Sequence, residues 1–168
     1  MKKLSIIIYV VLALFFVSCK NGDTKDANGD TPSTVVDKMY QAIKANNFAE
    51  AVSYNKIPDT VRIPVKNKNI YEGFKNCPVE QGKKNDGTDV YIIAKEEWEE
   101  FLLSMIQQQY LNASLESWQI IDENISKTDP NSAKVKTKIT IKIKDGSSKE
   151  RECSFPLKRE NGKWLIIG

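Results

Sequence analysis

Apolar and polar residues alternate with a period of two from Ala133 to Lys144. Ala133, Val135, Thr137, Ile139, Ile141 and Ile143 share one side, and Lys134, Lys136, Lys138, Thr140, Lys142 and Lys144 the other. That period predicts a strand with one buried and one wet face. The turn that follows decides the next register. A two-residue loop at Asp145-Gly146 would set an inward isoleucine beside an outward glutamate. A three-residue loop, Lys144-Asp145-Gly146 with Gly146 left-handed, restores parity. Lys138 then faces Glu152, Thr140 faces Glu150, and Cys153, Phe155 and Leu157 form the inward row. Asn161-Gly162 predicts a final hairpin that pairs Leu157 with Ile166 and brings Trp164 inward beside Arg159. Leu165 and Ile167 then point from the opposite face, where they are candidates for covering another element, for an interaction surface or for a homodimer contact. An earlier strand is expected over roughly 115–125. Trp118 and Ile120 lie on one parity there and Ile121 and Ile125 on the other, so a bulge or a change of buried face is expected.

The first half of the chain has helical periods instead. Thr31 is a good N-cap and Pro32 suits the first helical position, where no N–H is needed. Val35, Val36, Met39, Tyr40 and Ile43 then form one apolar stripe. Asn46 can take the left-handed conformation that ends the helix. Asn47, with Glu50 three residues later, starts a shorter helix whose inner face is Phe48, Ala51 and Val52. A third helix is expected over about 95–111, with Trp98, Phe101, Leu102, Met105, Ile106 and Tyr110 on one face. Between the second and third helices the punctuation by Pro58, Pro64, Gly73, Pro78, Gly82 and Gly87 breaks any long period. An irregular insertion at about 56–95 is expected, with short strand pairing around Val61 to Val65 and Val90 to Ile93.

Composition narrows the chemistry. The chain of 168 residues carries a formal charge of only +3, far from the excess of a nucleic-acid binder, and contains no histidine. That removes the commonest general base and the commonest metal ligand, and no metal site or cofactor is expected. Of the three cysteines, none lies in a CxxC. Cys77 and Cys153 are a candidate disulfide, worth about 4 kcal/mol in the chain-entropy model if formed, or two separate thiols; spacing cannot show that two cysteines meet. The lysine row facing Glu150 and Glu152 reads as a solvated strand face that resists edge pairing.

The amino terminus reads as a targeting segment. Lys2 and Lys3 precede an apolar run from Leu4 to Val17 that ends at Phe16-Val17-Ser18-Cys19. The run is too short to span a bilayer comfortably, which takes ~20 apolar residues. Cysteine just after Val-Ser resembles the lipobox of bacterial lipoproteins, although Phe16 stands where leucine is usual. The resemblance implies a signal peptide at 1–18 and a lipid-bearing Cys19 as first mature residue. Residues 19–30, with no apolar side chain larger than alanine from Lys20 to Asp30, are expected to be a flexible tether, and 31–168 a single domain.

Helix, helix, insertion, helix, then antiparallel strands ending in Gly-Lys-Trp resembles the nuclear-transport-factor-2-like, or cystatin-like, α+β cone. More closely, Thr31-Pro32, Tyr40 with Ala42, Asn47-Phe48 with Ala51, and Glu160-Asn161-Gly162-Lys163-Trp164 resemble a family of small bacterial lipoproteins of unknown function with that fold. These are motifs of architecture and carry no chemistry. The resemblance implies N-terminal helices packed on a curved C-terminal antiparallel sheet. The cavity of such a cone would be lined by Tyr40, Trp98, Tyr110, Ile139, Phe155 and Trp164, or those side chains simply fill the core. The inward rows offer only Thr137 and Arg159 as polar groups, and Asp122 and Asp37 as candidate acids without an evident partner. The expectation is a membrane-anchored module of the cell envelope, on the outer membrane, that binds a partner protein without catalysis. The alternatives are a carrier of a hydrophobic small molecule and a ketosteroid-isomerase-like enzyme.

Overall fold

The structure, a computed structural model, describes residues 24–64, 80–84 and 86–167. Cys19, Cys77 and the expected signal peptide lie outside the described residues. Helix α1 spans Pro32–Lys44, and the Thr34 N–H donates to the Thr31 hydroxyl at 3.2 Å to cap it. Asn46 ends it at φ 58, and α2 follows over Phe48–Ser53 with the Glu50 N–H donating to the Asn47 side chain. Strands β1 (Thr60–Pro64), β2 (Glu80–Lys83) and β3 (Asp89–Ala94) form a sheet of order β1-β3-β2. Helix α3 spans Lys95–Leu111. Strands β4 (Ala113–Ile125), β5 (Ser132–Ile143), β6 (Ser148–Glu160) and β7 (Lys163–Ile166) form a sheet in sequence order. All its neighbours are antiparallel. Helices packed on a curved antiparallel sheet make the α+β cone that the order of elements implies.

Registers follow the period-two logic. Lys138 stands opposite Glu152 and Thr140 opposite Glu150, and Gly146 takes φ 87 in the three-residue loop. At the last hairpin Asn161 (φ 49) and Gly162 (φ 74) are both left-handed, which matches the right-handed twist of the strands they join. Leu157 pairs with Ile166 and Arg159 with Trp164. Strand β4 is bulged twice, between Leu115 and Ser117 and between Ile120 and Asp122. The carbonyl of Glu116, at the first bulge, accepts from the Lys44 ammonium at 2.9 Å. The second bulge leaves Ile121 49% exposed. Bulges sharpen local twist, and here they bend the sheet around α1.

The core lies between α1 and this sheet. Val36, Val135 and Thr137 are completely buried, with Val35, Tyr40, Leu157 and Trp164 nearly so. A smaller cluster, Ile63 and Ile93 with Val61, Trp98 and Phe101 against them, joins the first half of α3 to the small sheet. The insertion is therefore not wholly irregular: β3 pairs with β1 and β2 on either side.

The expected tether is also different over 24–30. Asp26 closes a turn by accepting from the N–H groups of Asn28 (2.7 Å) and Asp30 (3.0 Å), and its other oxygen accepts from the Trp164 N–H at 3.2 Å. Burial raises the Asp26 pKa, but these N–H groups outweigh it and hold the carboxylate below its ordinary value. The Ala27 N–H donates to Gly162, and the Trp164 indole N–H donates to the Thr24 carbonyl at 2.9 Å. Polar bonds to a hairpin dock this segment. Lack of apolar side chains misled the expectation, because a turn can be held by its backbone.

The free edge of β7 is covered as well. Asn55 bridges to Ile166, and backbone bonds run from Lys56 to Ile166 and from Ile166 to Tyr54. Leu165 and Ile167, candidates for covering another element or for an interaction surface, are half-buried. Leu165 sits in a groove with Ile57, Pro58 and Glu160.

Candidate functional site

A cavity of about 430 Å³ opens where α1 and the second half of α3 meet the concave face of the large sheet. Helix α1 contributes Met39, Tyr40 and Ile43, and α3 contributes Ile106, Gln109 and Tyr110. The sheet adds Ile139 from β5 and Arg151, Cys153 and Phe155 from the inward row of β6. Asn55, Glu152 and Ser154 reach its rim.

Its existence follows from how α3 is divided. At about 1.5 Å per residue the helix is long enough to lie over two surfaces. Trp98 and Phe101, with ring centroids 5.3 Å apart, pack on the small sheet. Ile106 and Tyr110, two turns further on, stand over the cone. No side chain of α3 is fully buried, so the helix covers the large sheet without filling the space beneath it.

Four of the six residues expected to line a pocket do so: Tyr40, Tyr110, Ile139 and Phe155. Trp98 belongs to the small-sheet cluster, because its place near the start of α3 sets it beyond the cone. Trp164 is 2% exposed and packed in the main core, its indole N–H held by Thr24. Among the lining residues that the sequence did not assign to a pocket are Arg151, on the inward parity of β6, and Gln109, one position before Tyr110; Cys153 reads as inward from the sequence, but as a candidate disulfide partner. Parity alone could have found Arg151.

Polarity on the floor is largely satisfied internally. The hydroxyls of Tyr40 and Thr137 lie 2.9 Å apart, and Thr137 is fully buried. Burial is the first cause that pushes the Tyr40 phenol well above its ordinary pKa; the Thr137 bond offsets only part, and Cys153 and Tyr110 add to the rise. Tyr40 is thus a neutral phenol at physiological pH, set edge-on to Phe155 with centroids 5.8 Å apart. Burial likewise raises the Tyr110 pKa, with Cys153 adding and the Arg151 charge opposing. Tyr110 stacks on Phe48 of α2 at 6.2 Å.

The two candidate acids are elsewhere. Asp37 accepts from the Trp118 indole N–H and from the Gln41 amide, each at 2.7 Å. Asp122, expected as a buried acid, is exposed opposite Lys136, because the second β4 bulge turns it outward. Among the described residues no group of three His, Cys, Asp or Glu side chains could hold a metal. No helix of the described residues is long and apolar enough to cross a membrane. The candidate disulfide is half visible: Cys153 stands in the cavity wall, and Cys77 is outside the described residues.

No protein-family description matches the chain, and none of the curated proteins does. Solved structures with similar backbones include an NTF-2 like protein of unknown function from Shewanella oneidensis, at 8% identity over 80% of this chain and 91% of that one, TM-score 0.49. Another is a SEC-C motif containing protein from Rhodopseudomonas palustris, at 6% identity over 84% and 81%, TM-score 0.49. A third is a computationally designed 17-OHP binder, at 12% identity over 83% and 92%, TM-score 0.45.

Proposed function

We propose that this protein is a binding protein that holds a hydrophobic small molecule in the cavity between α1, α3 and the large sheet. The carrying observation is the cavity itself: about 430 Å³ lies within the usual range of small-molecule sites, and Met39, Tyr40, Ile43, Ile106, Tyr110, Ile139 and Phe155 give it apolar and aromatic wall beside the polar Asn55, Gln109, Arg151, Glu152 and Ser154. Catalysis finds less support, because neither candidate acid lines the cavity: Asp37 is bonded to Trp118 and Gln41, and Asp122 is exposed on β4. The protein–protein reading finds less support too, since Leu165 and Ile167 are half-buried beside the chain's own residues.

A neutral fluorescent probe, Nile red, tests this reading. Saturable binding to one site is expected, abolished by Ile106→Trp, which fills the cavity, and retained by Met105→Trp, whose side chain is exposed. Absence of binding, or binding indifferent to Ile106→Trp, would overturn the reading.

We also propose that Cys19 carries a lipid that anchors the domain to a bacterial envelope membrane, on the strength of the lipobox-like Phe16-Val17-Ser18-Cys19. Radiolabelled palmitate should enter the wild-type protein and not Cys19→Ser. Equal labelling of both would remove the anchor from the account.

A further inference from the structure

Among the described residues one cation stands in the cavity wall. Arg151 lies on the inward row of β6, opposite Ile139 and two residues from Cys153. Lys138, Lys158 and Lys38 each have a carboxylate partner. Among the described residues no carboxylate is placed in an ion pair with Arg151. The neighbouring Glu152 is on the opposite parity, where it stands across from Lys138 and supports that ammonium's charge. Arg151 is exposed at the cavity rim, so its guanidinium keeps its hydration until a ligand arrives. Beyond it Ile139, Ile106, Met39 and Phe155 form apolar wall, and the Tyr40 hydroxyl is already bonded to Thr137.

We propose that the ligand is a singly charged carboxylate amphiphile, a fatty acid or a molecule of that build. Its carboxylate meets Arg151 and its apolar body lies against Ile139, Ile106 and Phe155. This rests on the cavity reading above and names the ligand class. A planar guanidinium matches a carboxylate in a two-bond fork. One cation suits one negative charge; a phosphate monoester, with nearly two, would leave charge unmatched beside Glu152. The Tyr110 hydroxyl, close enough to feel the Arg151 charge, stays protonated and can donate to the same headgroup.

The test compares cis-parinaric acid with its methyl ester, by probe fluorescence, on the full chain carrying Cys19→Ser. A hydrogen bond to a charged group contributes about 1.5–3 kcal/mol, so the acid should bind roughly tenfold or more tightly than the ester. Arg151→Gln should bring the acid down to the affinity of the ester, while an unchanged urea-unfolding midpoint shows that the variant is folded. Equal affinity for acid and ester in the wild type, or an unchanged acid affinity in Arg151→Gln, overturns the carboxylate assignment alone. If neither probe binds the wild type, the cavity reading falls and this inference with it.

Discussion

The large and small sheets are both antiparallel, yet they bury different amounts of the chain around them. Against the large sheet α1 buries Val35, Val36, Met39, Tyr40, Ala42 and Ile43, and two aromatic residues, Tyr40 and Trp164, are almost wholly removed from water. Against the small sheet no side chain of α3 is completely buried, and among the described residues Ile63 and Ile93 are the buried pair of that cluster. The difference traces to shape. The large sheet is long, bulged and bent around one helix, whereas β1, β2 and β3 are short and offer one apolar row to a helix that must serve two surfaces. Apolar spacing on a helix therefore does not by itself measure burial. Where the two regions meet, the incomplete packing of α3 leaves the cavity.

The largest expected effect separates the two regions directly. Trp164→Ala, in the main core, should cost about 3–5 kcal/mol by urea unfolding, and Trp98→Ala, half-buried on α3, about 1–2 kcal/mol. In native-state hydrogen exchange, α3 amides should open below the global unfolding free energy while β5 amides exchange only at it. Equal costs for the two tryptophans, or equal protection, would dissolve the distinction.

A middle-sized effect sharpens the cone side. Thr137→Val leaves the buried Tyr40 hydroxyl without its partner at 2.9 Å and should cost about 1–3 kcal/mol. Adding Tyr40→Phe should recover much of that loss, because an apolar pair needs no hydrogen bond. A double variant as damaged as the sum of its parts would show that the hydroxyl pair is not a closed unit.

The smallest effect is confined to alkaline pH. Burial raises the Tyr40 pKa in the folded state above its unfolded value of about 10. The folded state therefore keeps a proton that the unfolded chain gives up. Its contribution is fully present below about pH 10 and is lost as pH rises toward the folded value. Stability should fall above that point, less steeply in Tyr40→Phe; identical alkaline limbs for the two proteins would contradict the burial assigned to this phenol.

Local rules carried the C-terminal half. The alternation from Ala133, the Gly146 loop and the Asn161-Gly162 turn together settle which residues face each other, because side-chain parity and turn length leave one consistent register. The helix starts at Thr31 and Asn47 were equally readable, since a cap bonds groups only three residues away. The site was half legible: parity and stripe identified Tyr40, Tyr110, Ile139 and Phe155. Trp98 was misplaced because a stripe tells which side of a helix is apolar, not which surface each turn meets. Asp122 was misplaced because a one-residue bulge reverses parity downstream.

Sequence by itself thus determined the three helices, the caps at Thr31 and Asn47, the registers of the last two hairpins and the apolar character of the inner rows, all interactions of short range along the chain or across a turn. Tertiary structure alone decided that 24–30 docks on the last hairpin, that α3 is shared between two sheets, and that Arg151 borders an apolar cavity without an ion-pair partner among the described residues. Those outcomes depend on where separate elements meet in space, and no periodicity along a single element encodes the gap left between two of them.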